Sequence, residues 1–312
     1  MAADRQKLIL DCDPGHDDAV AILLAGNHPG LELLGITVVA GNQTLEKTVN
    51  NALQVTQHLG INVPVFAGCP GPLVRQRTIA DDIHGKTGLD GPVFEPLTRK
   101  AEDKHAAQFM IEQVLKAPGE VTIVTAGPMT NLALAMRLEP AMVSAVKQVV
   151  FMGGSYQLGN VTPAAEFNIL ADGEAAHVVF TSGMPLTMVG LDVTRKALCL
   201  PEVMSRMAAV GNKAAKLFDD MIRFFNKMQK QVFGWEGGPL HDPITIAYLI
   251  DPSVLETRPM FAQVDIRSEQ SYGRTNCDYF GYLKKEPNVN VAIDIDVPRF
   301  WDMVEEGIRR YG

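Results

Sequence analysis

Residues 8–18 run Leu8-Ile9-Leu10-Asp11-Cys12-Asp13-Pro14-Gly15-His16-Asp17-Asp18, so four carboxylates fall within eight positions directly after an apolar run. Left as a solvated turn, these groups would repel one another at neutral pH. A hard divalent cation removes the repulsion, because carboxylate oxygens and charge neutralisation are what Ca²⁺ or Mg²⁺ require. The apolar run reads as a buried strand, and Ala19 to Ala25 continues at once with a helical pattern. Strand, acidic loop and helix in this order put the carboxylates at the C-terminal edge of a sheet, where ligands of open α/β sheets bind. An EF-hand is excluded, since the twelfth residue counted from Asp11 is Ile22 and not Glu. A plain loop with Asp17 or Asp18 as helix cap accounts for one or two of the carboxylates but not for four. A phosphotransfer loop built on Asp11-Cys12-Asp13 also follows a strand, but that chemistry does not need Asp17-Asp18.

The same alternation of strand and helix extends along the chain. Strand-length apolar runs are expected at 33–39, 63–66, 121–125, 148–152 and 186–191. Helical spacing is expected at 45–59, 105–115, 132–138 and 174–180. This pattern predicts an α/β fold, a mostly parallel open sheet flanked by helices, in one domain over residues 1–312. Polar or glycine-rich loops follow the strands at Ala40-Gly41-Asn42, Ala126-Gly127-Pro128 and Gly153-Gly154-Ser155, so they arrive at one sheet edge and predict one shared site. Residues 67–100, rich in Gly, Pro and charge, suit a long loop over that site. Residues 202–235 read as helical, and 260–296 as further strands.

Composition narrows the partners. A net charge of −8 without a Lys/Arg run argues against nucleic acid. No apolar run approaches the roughly 20 residues that span a bilayer. Cys12, Cys69, Cys199 and Cys277 are scattered, which suits a reducing compartment. Residues 1–7 leave no room for a signal peptide before the first strand, so cytoplasmic residence is expected.

Several later residues carry chemistry with more than one reading. Asp242-Pro243 ahead of an apolar helical run is a good N-cap, and equally a carboxylate placed at a helix start. His241 is either core or a candidate proton donor whose ordinary titration range fits. Glu166-Phe167-Asn168, with Asn160 before it, can grip vicinal hydroxyls or form a polar loop. Asn42 can be a turn residue, and His84 a loop histidine. Phe225, Gln229 and Phe233 lie on one helical face, a spacing usual for core, although Gln229 is odd there.

Taken in order and spacing, the acidic motif, Ala40-Gly41-Asn42, Ile83-His84-Gly85, Gly153-Gly154, Asn160, Glu166-Phe167-Asn168 and His241-Asp242 resemble the nucleoside hydrolase family over essentially the whole chain, most closely its bacterial pyrimidine-specific ribonucleoside hydrolases. The resemblance implies hydrolysis of the N-glycosidic bond of ribonucleosides, uridine and cytidine preferred, in nucleoside salvage by a homotetramer. It implies one Ca²⁺ per subunit held by Asp13, Asp18, Asp242 and the Ala126 carbonyl, with Asp11 supporting the loop. It makes Asp13 the general base and His241 the donor to the leaving base. Asp17, Asn160, Glu166, Asn168 and Asn42 would hold the ribose, and His84, Phe225, Gln229 and Phe233 the base. Some pyrimidine-preferring members carry hydroxyl side chains where this chain has Phe225 and Phe233. A purine or broad-specificity hydrolase is the nearest alternative. A metal-dependent phosphatase and a non-catalytic nucleoside-binding protein are more distant ones.

Overall fold

The computed structural model describes residues 5–312. Residues 1–4, on which the expectation about a signal peptide partly rests, lie outside the described residues. Ten strands form among the described residues: β1 (Gln6–Cys12), β2 (Leu31–Val38), β3 (Val65–Ala67), β4 (Val121–Thr125), β5 (Gln148–Met152), β6 (Leu186–Val189), β7 (Leu255–Met260), β8 (Ala262–Val264), β9 (Thr275–Cys277) and β10 (Val289–Ile295). Eight of them make one sheet in the order β3-β2-β1-β4-β5-β6-β10-β7, and β8 and β9 pair separately. All neighbours in the large sheet are parallel except β7, which runs antiparallel to β10 at the edge. From β1 the chain winds outward through β2 to β3, then returns to start β4 on the other side of β1. The order therefore reverses between β1 and β4, and a crevice opens there at the carboxyl ends of the strands.

Alternate residues of β1 feed two apolar layers, as a strand's two-residue period requires. Leu8, Leu10 and Cys12 join one layer with Ile22, Phe218 and Phe300. Ile9 joins the other with Phe109, Ile123, Phe151 and Phe180. The helix His16–Gly26 is buried from His16 through Ala25, because the helices Leu45–Leu59, Lys213–Phe233, Pro243–Ile250 and Val297–Arg309 all pack against it. A helix that is apolar around its circumference must be enclosed in this way. The acidic loop at its start is thereby fixed between a central strand and a central helix.

The expected elements are found, with boundary shifts. The strand expected at 186–191 ends at Val189, and Leu191 begins a short helix, Leu191–Thr194. The 202–235 region is two helices, Pro201–Ala208 and Lys213–Phe233. Gly211 separates them at φ +75°, a conformation glycine adopts without strain. The further strands begin at Leu255, before the expected 260, and β10 enters the main sheet beside β6. Of residues 67–100, Ala67 ends β3 and the rest are irregular apart from one helical turn, Asp81–His84. All four cysteines are free. No helix among the described residues is long and apolar enough to cross a membrane.

Candidate active site

Asp11 ends β1 fully buried. One of its carboxylate oxygens, Oδ1, accepts from Thr37 Oγ1 (2.7 Å) and Asn131 Nδ2 (2.8 Å), while Oδ2 has no hydrogen-bond partner among the described residues. Asn131 also accepts from the Cys69 N–H (2.8 Å) and donates to the Val38 carbonyl (3.1 Å), so one amide ties β1 to the loops after β2 and β3. Replacing it leaves several buried groups unpaired, each costing about 1–3 kcal/mol. Asn131→Ala is expected to lose roughly 3 kcal/mol of stability, measured by urea denaturation, and a wild-type midpoint would contradict this anchoring role.

Asp13 follows in the tightest part of the loop. Its Oδ2 accepts from the Asn42 N–H (2.6 Å), and its Oδ1 is buried without a partner among the described residues. The backbone closes on it from two sides: a Cβ on Gly41 would sit 2.1 Å from Oδ2, and one on Gly127 2.4 Å from Oδ1. Asp18, in the first turn of the helix, accepts from the Gly15 N–H (2.9 Å), the Asp13 N–H (3.2 Å) and Asn42 Nδ2 (3.1 Å). It therefore caps the helix and faces the site at once. Asp17 accepts from the His241 N–H (3.3 Å). Asp242 precedes the helix Pro243–Ile250, but its carboxylate makes no capping bond. It turns instead to Asp17 and Asp18, and oxygens of these three lie within 4.8 Å of one another. Capping alone does not account for Asp242.

These carboxylates are buried and no ion pair among the described residues reaches them. Burial pushes Asp11 and Asp18 up to about 7, the charge of Asp17 adding to the effect at Asp18. Burial, and then the neighbouring carboxylates, hold Asp13 and Asp242 well above the ordinary range. Burial also raises Asp17. A cluster in which every member resists ionisation, with an unpartnered buried oxygen on Asp13 among the described residues, fits a hard cation. The tightest grouping comprises Asp17, Asp18 and Asp242, with Asp13 adjacent. The resemblance had placed Asp17 with the ribose.

Glu166, on the cavity that Asp17 and Asp242 also line, caps the helix Phe167–Ala171, accepting from the N–H groups of Asn168 (2.9 Å), Gly154 (3.0 Å) and Ile169 (3.1 Å). Burial nevertheless pushes it up to about 7. Asn168 Nδ2 donates to the carbonyls of Ala126 (2.9 Å) and Met152 (3.2 Å), joining the loops after β4 and β5. Asn160 Oδ1 accepts from the Phe167 N–H (3.0 Å), which leaves its amide nitrogen to a ligand.

One cavity of about 460 Å³, within the range of small-molecule sites, opens between these groups. Asp17, Asn42, His84, Ala126, Asn160, Glu166, Asn168, Phe225, Gln229, Phe233, His241 and Asp242 line it, whereas Asp13 and Asp18 are fully buried and are not among the lining residues. Phe225 is buried against His84 and His16, whose rings stack on it. Gln229 is buried with Oε1 unpartnered, whereas Phe233 is 40% exposed at the rim and stacks on Trp235. The helical face thus serves as core at one end and as cavity wall at the other. His241 Nδ1 lies 2.7 Å from Thr194 Oγ1. Burial, and then Arg195, push the His241 imidazole down to about 3, which removes the near-neutral titration expected from its residue type.

Four contributors escaped the sequence reading. His16 is stacked among His84, Phe224 and Phe225; its place inside the acidic motif was the available signal. Asn131, Thr194 and Arg195 gave none, since each acts across the fold. Arg195 donates to the carbonyls of Leu158 (3.0 Å) and Gly159 (2.6 Å) and so holds the loop that presents Asn160.

Comparison with known proteins gives a consistent picture. A model of the inosine-uridine preferring nucleoside hydrolases matches residues 8–302. The chain is 53% identical over 308 residues to the pyrimidine-specific ribonucleoside hydrolase RihB of Escherichia coli strain K12, covering 99% of this chain and 98% of that one. The Escherichia fergusonii protein of the same name matches equally. Among solved structures, a purine-preferring ribonucleoside hydrolase from Gardnerella vaginalis superposes with a TM-score of 0.92 at 35% identity, and a plant nucleoside hydrolase, PpNRh1, with 0.92 at 31%. Each covers 98% of this chain and 99% of its own.

Proposed function

The chain belongs to the inosine-uridine preferring nucleoside hydrolase family, and from that premise we propose that it is a Ca²⁺-dependent hydrolase of pyrimidine ribonucleosides, uridine and cytidine above all, releasing free base and ribose. The observation that carries the proposal is the pairing of two features in one cavity: a buried, unpaired carboxylate cluster at the β1/β4 crevice, and an aromatic wall beside it. Carboxylates stabilise the cationic sugar that forms as an N-glycosidic bond breaks, and the aromatic wall receives the base.

Asp13, Asp18, Asp242 and the Ala126 carbonyl would hold the ion, with Asp17 close enough to share in it or to take a ribose hydroxyl. Ca²⁺ suits an all-oxygen set of this kind. Bound there, the ion supplies orientation and acidity to a water molecule. Asp13 takes that water's proton, its Oδ1 having no competing partner. Asn160, Asn168 and Asn42 hold the ribose. Glu166 contributes chiefly by fixing Asn168, since its oxygens already serve three backbone donors. His84, Phe225, Gln229 and Phe233 enclose the base, and His241 meets its leaving side. The pyrimidine preference rests on the relatives at 53% identity. Residence in the cytoplasm and a homotetramer belong to the same proposal.

Uridine is expected to release reducing sugar faster than inosine, and no nucleotide to release phosphate. 2′-Deoxyuridine is expected to lose at least about 10² in kcat/KM, because a site built for a hydroxyl leaves buried polar groups unpaired without it. Equal rates for uridine and its deoxy analogue would overturn the ribose assignment. Inosine outrunning uridine would overturn the pyrimidine preference alone. Phosphate release without ribose would favour the phosphatase alternative.

A further inference from the structure

We infer that Thr194 is a positioning residue that fixes which nitrogen of His241 carries hydrogen, so that a neutral imidazole presents Nε2–H to the departing base. The inference rests on the hydrolase reading for its catalytic consequence, but the hydrogen placement stands on geometry alone. Thr194 ends the short helix Leu191–Thr194 and is fully buried. Its hydroxyl makes a single hydrogen bond among the described residues, to His241 Nδ1 at 2.7 Å.

A hydroxyl has one hydrogen to donate and lone pairs to accept with. Were Nδ1–H the donor, the hydrogen of the fully buried Thr194 would have no acceptor among the described residues. Donation from Thr194 into Nδ1 satisfies both groups. One nitrogen being an acceptor, the hydrogen of the neutral ring sits on Nε2. That atom makes no hydrogen bond within the described residues and is not sealed from solvent, and His241 lines the cavity. Nε2–H therefore opens onto the space where the base would lie.

The balance of the step is simple. Water gives hydroxyl to C1′ and a proton to Asp13, and the C1′–N electron pair leaves with the base. His241 donates a hydrogen bond to the base atom on which that charge collects and keeps its own proton. The base is then protonated from solvent as Asp13 returns its proton there.

The test pairs Thr194→Val, which keeps the shape and removes the hydroxyl, with Thr194→Ser, which keeps the hydroxyl. Two substrates are compared: uridine, whose base leaves poorly, and p-nitrophenyl β-D-ribofuranoside, whose leaving group needs no help. Thr194→Val should lower kcat on uridine about 10- to 100-fold, the range for one hydrogen bond to a group that takes on charge, and leave the p-nitrophenyl substrate within about twofold. Thr194→Ser should behave as wild type. An equal loss on both substrates, or no loss on uridine, would overturn the inference. Spectra of ¹⁵N-histidine protein read the hydrogen directly, without turnover: wild-type His241 should show hydrogen at Nε2, and hydrogen at Nδ1 would overturn the inference even if the enzyme is active. A wild-type protein that hydrolyses neither substrate, yet shows hydrogen at Nε2, would refute the hydrolase reading and leave the placement of the hydrogen supported.

Discussion

Asp13→Ala protein is expected to fold and to turn over uridine at least about 10²–10⁴ more slowly, the range for losing a general base. Loss of a ligand to the ion should deepen the defect. Folding should survive because the substitution removes one hydrogen bond, to the Asn42 N–H, together with a carboxylate that burial and Asp18 already hold away from ionisation. The space vacated lies between Gly41 and Gly127, which press on the carboxylate rather than on the Cβ. The measurement is kcat on uridine beside a thermal melt of the same preparation. A variant that keeps a tenth of wild-type kcat would end the general-base assignment.

Exhaustive chelation is expected to abolish activity, with Ca²⁺ restoring it better than Zn²⁺, since neither His nor Cys belongs to the oxygen cluster. Full turnover in demonstrably ion-free protein would contradict this. Stability carries a second signature. Without the ion, Asp11 and Asp18 hold their protons up to about 7, against about 4 for an unfolded carboxylate. Between those values these carboxyl groups bind more protons in the folded chain than in the unfolded one, so their contribution to stability declines as pH rises through that window. The buried histidines His16, His84 and His241, held low by burial, act in the opposite sense, but the four raised carboxyl groups Asp11, Asp13, Asp18 and Asp242 outnumber them, so ion-free protein should melt lower at pH 7.5 than at pH 5. Ca²⁺ at about a hundred times its Kd should add about 2.7 kcal/mol at the higher pH. Equal melting temperatures for ion-free protein at the two pH values would remove the case for a cluster that resists ionisation.

How far the sequence carries depends on whether a role is local. The β1 loop was legible because burial, capping and charge concentration all fall within Asp11 to Asp18. Strands β4 and β5 were legible residue for residue, since strands covered on both faces are uninterrupted apolar runs. Short edge pieces such as β8 and β9 have no such run, and their pairing depends on contacts across the chain. Within the site, Asp242 could be read as a helix cap until its carboxylate was seen to turn toward Asp17. His241 showed its residue type but not its burial, which is what moves its titration. Thr194 and Arg195 carry no motif at all. Each earns its place through a partner more than thirty residues away, Thr194 at 47 and Arg195 at 36 and 37 positions.

Asp17 meets the backbone of His241 across 224 positions of sequence. A growing chain emerges with the acidic loop first and can form β1, its helix and the neighbouring strands early. It has no complete seat for an ion until the segment around Asp242 is synthesised and docked. Contacts of this span are slow to form, because closing so long a loop costs chain entropy before any contact rewards it. Ion capture therefore reports on near-complete tertiary assembly rather than on any early intermediate, and a chain truncated before residue 241 keeps the acid-rich loop without the partner that closes it.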